Sequence, residues 1–267
     1  MRRIILVLFF SAVYLHSFAG WEIVTRYYSS LENPQEARQE YVYISVGYMK
    51  IVSGEISTIF NLKKQEIVYL NTSNKKYWQG NSDKFNADIR VELRQKIDQE
   101  LHRTDKNQQD NQKQMYEEML RNTFTDESSA IASVKNYPVK RLNVDQTIAG
   151  YKSYAYQVLD DVMPLETVWI APDLKIASEF DFRDFSKLLQ KLVKGAYSSS
   201  FENSVQYFKL LDEGYPLKVE MRREDGQNSI SEVIKVSKIN LEESVFKVPQ
   251  GYQLSSLTAV GVWDAYQ

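Results

Sequence analysis

Cysteine does not occur in the 267-residue chain. The protein therefore has no disulfide, no thiol nucleophile, no thiolate metal ligand and no cysteine that could carry a lipid anchor. Histidine is nearly absent as well, with only His16 and His102. A Ser-His-Asp or Cys-His mechanism needs a histidine that an acid holds in position, whereas His102 lies in a long polar stretch. We interpret His102 as a surface residue and expect no zinc site.

Glycine-rich phosphate-binding loops are missing, and no Gly-Lys-Ser or Gly-Lys-Thr sequence occurs. Nucleotide chemistry is therefore not expected. No run of acids has the alternating spacing and central glycine of a calcium loop. We interpret the acidic groups as turn and helix-cap residues, with Asp173 as a helix N-cap or first-turn acid, and predict a protein that is not an enzyme and needs no metal or cofactor. The acids that would remain for acid/base chemistry are Asp160 with Asp161, Asp126 with Glu127, and Glu179, Asp181 and Asp184.

A strong charge of either sign is also lacking. The 33 Lys and Arg residues oppose 35 Asp and Glu residues, which gives a formal net charge of −2. A chain so close to neutral has no general attraction for nucleic acid or for an anionic membrane surface. We therefore expect no nucleic-acid partner.

The N-terminus carries the one long hydrophobic run. Arg2 and Arg3 precede the apolar segment 4–15, and the sequence Ser17-Phe18-Ala19 places small residues where a signal peptidase cleaves. The run is too short to span a membrane, which takes about 20 residues. We predict that residues 1–19 are a cleaved signal peptide and that the mature protein is periplasmic and not an integral membrane protein.

Two strands with a turn between them are predicted in the centre of the chain. They cover residues 151–159 and 165–171, the turn contains Asp160, Asp161 and Pro164, and Pro172 ends the second strand. Side chains alternate along a strand, so Tyr154, Tyr156 and Val158 share one face in the first strand. Because Trp169 adjoins Ile170, both faces of the second strand carry apolar groups. This pattern favours a curved sheet with helices packed on one side.

Short alternating segments with Asn, Gly and Ser between them indicate an antiparallel meander in the first third of the chain. Asp225-Gly226 between two alternating runs predicts a hairpin near the C-terminus. Two helices are predicted between these regions, over 185–193 and 200–212, the second ending at Gly214. The meander strands are predicted at 22–29, 40–46, 48–52, 56–60, 66–70 and 75–79, and the hairpin strands at 216–223 and 229–239.

A polar helical insertion is predicted at about residues 82–125. Ile89, Leu93, Ile97 and Leu101 recur every four residues, as expected for the apolar stripe of a helix. Residues 103–114 are wholly polar, so the helix is either exposed to solvent on all sides there or broken into a hairpin. We interpret the segment as a protruding insertion. The alternative is an arm that binds a partner protein.

Aromatic and branched residues on the predicted strands are the candidate ligand-binding residues. A curved sheet closed by helices can enclose an apolar hollow that binds a lipid or another hydrophobic molecule. The same side chains can equally fill an ordinary core, and the sequence leaves both alternatives open. The cavity candidates are Tyr43, Ile59, Tyr69, Trp78, Tyr154, Tyr156, Trp169, Val219 and Met221.

Six segments carry a family resemblance. In chain order they are ISVGYMKI, STIFNLKKQEIVYLNTSNKKYWQG, IAGYKSYAYQV, VWIAPDL, EGYPLKVEM and SVFKVPQGYQ. This order resembles an uncharacterised family of exported bacterial domains that is similar to the LolA and LolB lipoprotein carriers. The resemblance covers most of residues 21–255 apart from the polar insertion. Members often have a cysteine in the strand that follows Gly-Tyr, but here Tyr151-Lys152-Ser153-Tyr154 has none.

The resemblance implies an α+β fold for residues 20–267 as a single LolA-like domain. Its sheet would be an open antiparallel half-barrel with helices packed on the concave side, plus the polar helical insertion. It also implies binding of an acyl chain or another hydrophobic ligand, as in a carrier of envelope biogenesis. The alternative hypothesis is a non-enzymatic interaction module that binds an envelope protein through the insertion.

Overall fold

The computed structural model describes residues 17–103, 112–118, 136–192, 200–223 and 226–262. These residues form one 12-stranded sheet with helices. The strands are β1 Ser17–Ser29, β2 Arg38–Ser45, β3 Tyr48–Ser53, β4 Ile56–Asn61, β5 Glu66–Asn71, β6 Lys76–Gly80, β7 Val139–Ile148, β8 Tyr151–Asp160, β9 Met163–Ala171, β10 Tyr215–Arg222, β11 Asn228–Glu242 and β12 Gln253–Leu254. The helices are α1 Ser82–Arg103, α2 at 112–118, α3 Phe182–Leu192, α4 Val205–Glu213 and α5 Leu257–Val260. Short 3₁₀ turns lie at Ile176–Ser178, Phe201–Asn203 and Glu243–Phe246.

The sheet consists of two antiparallel meanders, β2 to β6 and β7 to β11, which β1 joins, and the short β12 is added beside β6. The strand order is β12-β6-β5-β4-β3-β2-β1-β11-β10-β9-β8-β7, so β1 lies between β2 of the first meander and β11 of the second. Among the described residues β7 and β12 are the two edges and do not pair with each other, so the sheet stays open. Of the twelve described strands, β12 alone runs parallel to its neighbour, β6. The predicted α+β class with an open antiparallel sheet is confirmed.

Tight turns set the register of the hairpins. Gly47 and Gly54 adopt φ values of 76° and 58°, which glycine reaches without steric cost, and they join β2 to β3 and β3 to β4. The predicted turn at Asp160-Asp161 is confirmed, and Asp161 has a φ of 54°. Aspartate tolerates this left-handed conformation better than most residues, so these acids are explained by the turn.

Three helices cover one side of the sheet. Phe85 of α1, Leu188 of α3 and Leu257 of α5 belong to a single buried cluster with strand residues such as Ala155 and Trp169. The fourth helix differs: Leu210 of α4 packs against Tyr156, Val158 and Val168. Ala155 and Tyr156 are consecutive strand residues with side chains on opposite faces. Helix α4 therefore covers the reverse face of β8 and β9, which needs its own cover because both faces of these strands are apolar.

Helix α1 confirms the predicted apolar stripe. Ile97 is buried, and Ile89, Leu93 and Leu101 are half-buried. Most of the predicted polar segment 103–114 and the predicted end of the insertion near 125 lie outside the described residues. None of the described helices is long and apolar enough to cross a bilayer.

The predicted signal peptide, residues 1–19, overlaps the described residues only at 17–19. β1 pairs with β11 from Ser17 onward, so the predicted cleavage region coincides with the first residues of this strand. Residues 1–16 lie outside the described part, and the signal peptide remains a prediction.

The predicted N-cap at Asp173 is wrong. The 3₁₀ turn after β9 begins at Ile176, and its N-cap residue, Lys175, makes no side-chain capping hydrogen bond. At the start of α3 the capping acid is Asp181, whose Oδ1 accepts hydrogen bonds from the backbone amides of Arg183 and Asp184 at 3.0 Å each. The cap is Asp181 rather than Asp173 because residues 172–181 form a turn before the helix begins. Local sequence patterns do not show how long such a turn is.

The predicted helix at 200–212 is split into a 3₁₀ turn and α4. Ser204 caps α4 by accepting a hydrogen bond from the Tyr207 amide at 3.1 Å. As predicted, the helix ends at Gly214, and a Cβ at this position would lie 2.2 Å from the carbonyl oxygen of Ala171. Glycine is therefore required where α4 turns back into β10.

Glu92 ties α1 to α5. Its Oε1 accepts a hydrogen bond from the Leu257 amide at 2.9 Å, and its Oε2 accepts from the Thr258 amide and hydroxyl at 2.6 Å each. Both amides belong to the first turn of α5, where donors lack partners within the helix. A carboxylate at this end also interacts favourably with the helix dipole.

Replacing Glu92 by alanine is therefore expected to lower the free energy of unfolding by about 1–2 kcal/mol. Urea denaturation measures this loss, and amide hydrogen exchange at Leu257 and Thr258 should become faster. Lys96→Ala, an exposed change on the same helix, is the control. Unchanged exchange at both amides would contradict the assigned role.

Candidate functional site

The nine predicted cavity residues do not surround one common space. They fall into three buried clusters, and Met221 lies outside all three with 39% of its surface exposed. Trp78 represents the cluster under α1, α3 and α5, Tyr156 the cluster under α4, and Ile59 a third cluster beside the 3₁₀ turn 243–246. The other members are Tyr69 and Trp169 in the first, Tyr154 and Val219 in the second, and Tyr43 in the third.

One of these residues, Tyr156, lines a cleft of about 540 Å³ between β7, β8 and α4. We call it the α4 cleft. Its apolar part is supplied by both layers, by Tyr137 and Val139 from the sheet side and by Leu210 from the helix. Its full lining is Asn136, Tyr137, Pro138, Val139, Arg141, Tyr156, Gln206, Lys209, Leu210 and Glu213.

The charged groups of the α4 cleft lie at its rim. Arg141 and Lys209 are exposed, and the Arg141 guanidinium lies 4.2 Å from the centre of the Tyr154 ring. The Tyr156 hydroxyl donates a hydrogen bond to Oε2 of Glu213. Burial, followed by this bond to the carboxylate, raises the pKa of Tyr156 to about 12. Tyr156 is therefore a neutral hydrogen-bond donor at physiological pH, and the cleft has two cations and one anion.

A second group of charges crosses the sheet elsewhere. Lys218 of β10 lies directly opposite Glu232 of β11, and Glu232 lies directly opposite Arg26 of β1. Arg26 Nη2 is 2.6 Å from Glu232 Oε2, and Lys218 Nζ is 2.5 Å from Glu220 Oε1. We call Arg26, Lys218, Glu220 and Glu232 the charged row. Their side chains are only 29%, 13%, 29% and 14% exposed, respectively.

Aromatic groups flank the charged row. The Lys218 ammonium lies 5.8 Å from the centre of the Trp169 ring, and Trp169 is directly opposite Lys218 in β9. The Tyr28 hydroxyl donates to Glu232 Oε2 at 3.0 Å. The indole N–H of Trp169 is buried and has no acceptor in the part of the chain that the structure describes. A buried donor without a partner is rare in native proteins.

Glu166 of β9 is a buried acid beneath the α4 side of the sheet. It is 5% exposed, and its Oε2 has no partner among the described residues. Burial, with a smaller contribution from the negative charge of Glu202, raises the pKa of Glu166 to about 8. The side chain is therefore largely protonated at neutral pH.

The acidic residues that remained as candidates for acid/base chemistry have structural roles. Glu179 pairs with Lys238 at 2.9 Å, and Asp184 pairs with Lys187 at 2.7 Å. Asp160 and Asp161 form a turn, and residues 126–127 lie outside the described part. Among the described residues no group of three or more His, Asp or Glu side chains is placed to hold a metal ion.

Sequence reasoning missed the charged row and Glu166. Arg26 and Glu232 are 206 positions apart in the chain, so no local motif contains both. Strand alternation gave the available signal, because Lys218 and Glu220 share one face of an otherwise apolar strand. The neighbours on that face depend on strand pairing, which the sequence pattern does not reveal.

Several solved structures are distantly similar. An uncharacterised conserved protein from Thermus thermophilus has a TM-score of 0.41 and 7% identity, covering 88% of this chain and 89% of that one. Pseudomonas aeruginosa MucB in complex with MucA has a TM-score of 0.36 and 10% identity, covering 89% and 57%. A LolA superfamily protein from Nitrosomonas europaea has a TM-score of 0.24 and 7% identity, covering 87% and 90%. Likenesses this distant do not bear on function.

No curated protein matches the chain. A family described as a domain of unknown function, DUF4412, matches residues 86–252. The match includes most of α1, every strand from β7 to β11 and the helices between them. It spans more than half of the 267 residues, and the chain therefore belongs to the DUF4412 family.

Proposed function

We propose that this protein is a non-catalytic binding protein of the bacterial periplasm that holds an amphipathic lipid-like molecule in the α4 cleft. The ligand is an acyl chain with an anionic head group. The observation that carries the proposal is the combination of an apolar cleft wall with two cations at the rim. A carrier role in envelope biogenesis follows if the ligand is passed on to another site.

The size and lining of the α4 cleft support an organic ligand. Small-molecule sites measure roughly 300–1,000 Å³ and combine apolar walls with a few polar groups, and the cleft has about 540 Å³. Pro138 and Val139 offer accessible apolar surface for part of an acyl chain, and the buried side chains of Tyr137 and Leu210 pack beneath it. Removing such a chain from water contributes about 0.8 kcal/mol per buried CH₂ group.

The rim supports a negatively charged head group. Arg141 and Lys209 can both donate charge-assisted hydrogen bonds to a carboxylate or phosphate. Glu213 is the opposing charge, but its Oε2 accepts from Tyr156 and is thereby held at the side of β8. The cleft therefore keeps a net positive rim, which favours an acid over a neutral lipid.

Binding of a fluorescent fatty acid to the delipidated mature protein tests the proposal. Changing Arg141 and Lys209 together to methionine should weaken fatty-acid binding by about tenfold or more, because a charge-assisted hydrogen bond contributes about 1.5–3 kcal/mol. Binding of the matching fatty alcohol should not change, since it lacks the charge that the two cations recognise.

The matched control changes Lys140 and Lys191 to methionine. Both are exposed, and Lys140 adjoins Arg141 in β7 with its side chain on the opposite face. This variant should bind both probes as the unchanged protein does. The proposal fails if the delipidated protein binds neither probe, or if the Arg141 and Lys209 changes weaken both probes equally.

A further inference from the structure

The charged row needs an explanation other than stability. Four charges that are mostly shielded from water lie on adjacent strands of one sheet. Desolvating ion pairs costs several kcal/mol per ion, and replacing such pairs with apolar residues is often neutral or stabilising. Among the described residues, the ion-pair and hydrogen-bond partners of these side chains lie on strands and not on helices. A folded core therefore does not require the four charges.

Within the charged row, the ion pairs do not follow the direct opposition of Lys218 and Glu232. Lys218 and Glu232 are directly opposed on neighbouring strands, where opposite charges commonly pair. Here Lys218 instead reaches Glu220 along its own strand, and Glu232 takes Arg26 and Tyr28. All three of these donors use Oε2 of Glu232, namely Arg26 Nε, Arg26 Nη2 and the Tyr28 hydroxyl. The Lys218 ammonium and the Glu232 carboxylate thus occupy opposite positions on neighbouring strands, about one strand spacing apart. Each is paired with another group: Lys218 with Glu220, and Glu232 with Arg26.

Trp169 adds an unused donor beside Lys218. Its indole N–H is buried without an acceptor in the described part of the chain, and Trp169 is 8% exposed. The side chain lies on the strand next to Lys218, on the side away from Glu232. An anionic oxygen placed over Lys218 could therefore also accept the indole N–H, which removes the cost of the unpaired donor.

We propose that the charged row is a second ligand site, specific for a zwitterion that carries a phosphate ester and a primary ammonium, the chemistry of phosphoethanolamine. Lys218 and the Trp169 N–H bind the phosphate oxygens. The carboxylates of Glu220 and Glu232 bind the ammonium. A two-carbon link between the two charges matches the spacing of about 4.8 Å between neighbouring strands.

This second site is independent of the α4 cleft. Trp169 belongs to the cluster under α1, α3 and α5, whereas Tyr156 and Val168 belong to the cluster under α4. Trp169 and Val168 are consecutive residues of β9 with side chains on opposite faces. The two sites therefore lie on opposite faces of the same strands, and either one can be correct without the other.

Calorimetric titration with three soluble probes tests the site in the mature protein. O-phosphoethanolamine should bind about tenfold or more tightly than either methyl phosphate or ethanolamine, because only the zwitterion satisfies both sets of partners. Trp169→Phe, which keeps an aromatic ring and removes the N–H, should weaken the zwitterion about five- to tenfold. Lys218→Met and Glu220→Gln should each weaken it by a similar factor.

Lys235→Met is the matched control, because Lys235 forms an ion pair of 2.5 Å with Glu22 on the same two strands, β11 and β1. It should leave zwitterion binding unchanged. Thermal unfolding shows whether each variant is folded, and Trp169→Phe and Glu220→Gln are the milder changes if Lys218→Met does not fold. Equal binding of all three probes, or zwitterion binding unaffected by Trp169→Phe and Glu220→Gln, overturns the proposal.

Vesicle sedimentation identifies the source of the zwitterion. Retention on phosphatidylethanolamine vesicles but not on phosphatidylglycerol vesicles, with loss in Glu220→Gln, assigns the site to a lipid head group. Binding of O-phosphoethanolamine without vesicle retention assigns it to a free solute. Both results support the site, whereas equal retention on both vesicles, insensitive to Glu220→Gln, contradicts it.

Discussion

Replacing Trp78 by alanine is expected to lower the free energy of unfolding by about 3–5 kcal/mol, the range for removing a buried large aromatic side chain. Trp78 is 1% exposed. Its ring centre lies 5.7 Å from that of Phe85 and 6.0 Å from that of Tyr69. Alanine would leave a cavity between β5, β6 and α1, and it would also remove the indole hydrogen bond to Asp88 Oδ2 at 2.7 Å.

Urea denaturation of the mature protein measures this loss. Trp78→Phe is the informative comparison, because it retains many of the ring contacts while removing the donor to Asp88. Its loss should be clearly smaller than that of Trp78→Ala. Val91→Ala is the control, since Val91 is 56% exposed on α1 and surface changes usually stay within about 0.5 kcal/mol. A loss below about 1 kcal/mol for Trp78→Ala would show that the helix does not depend on this contact.

Glu166→Gln is expected to flatten the pH dependence of stability. The pKa of Glu166 in the folded protein is raised from its ordinary value of 4.5 to about 8 by burial. A raised pKa means that the folded state holds the proton more tightly than the unfolded state. The contribution to stability is therefore fully present below pH 4.5 and is lost as the pH rises through 8. The full loss is on the order of 5 kcal/mol, at about 1.36 kcal/mol per pKa unit.

Denaturation of both proteins from about pH 4 to pH 9 checks this expectation. The free energy of unfolding of the unchanged protein should fall across that range. The Glu166→Gln protein should lose less and be the more stable of the two at the alkaline end. Glu202→Gln is the control for charge repulsion: Glu202 is exposed, and its removal should have a small effect. Parallel curves for the unchanged protein and Glu166→Gln would mean that Glu166 ionises without cost, and so is hydrated in the folded state.

The sequence was sufficient for most of the fold because strands and turns have local signals. Alternation along residues 151–171 predicted β8 and β9. The same pattern predicted helices on one side of the sheet and did not anticipate α4 on the reverse face of these strands. The stripe from Ile89 to Leu101 likewise identified the buried side of α1. Asp173 shows the limit of such signals. An acid that follows a strand gives the same sequence pattern whether the next helix begins at that acid or several residues later.

The candidate sites could be predicted only in part. Tyr156 was singled out as an aromatic strand residue, but its partner Glu213 comes from a helix and lies 57 positions away in the chain. The charged row depends on the pairing of β1 with β11 and of β10 with β9. The aromatic content can be read from the composition, whereas the contact between Arg26 and Glu232 depends on which strands pair in the sheet.

The position of β1 has a consequence for how the protein folds. Each meander consists of strands that follow one another in the sheet and can form from contacts close in sequence. β1 belongs to the centre of the sheet, yet its partner β11 lies at the other end of the chain, with Trp21 opposite Lys238. Contacts over such separations slow folding, because the connecting chain must be closed before they form. We therefore expect the two meanders to form first and their union through β1 to limit the rate of folding. Until that last step the sheet would consist of two separate halves.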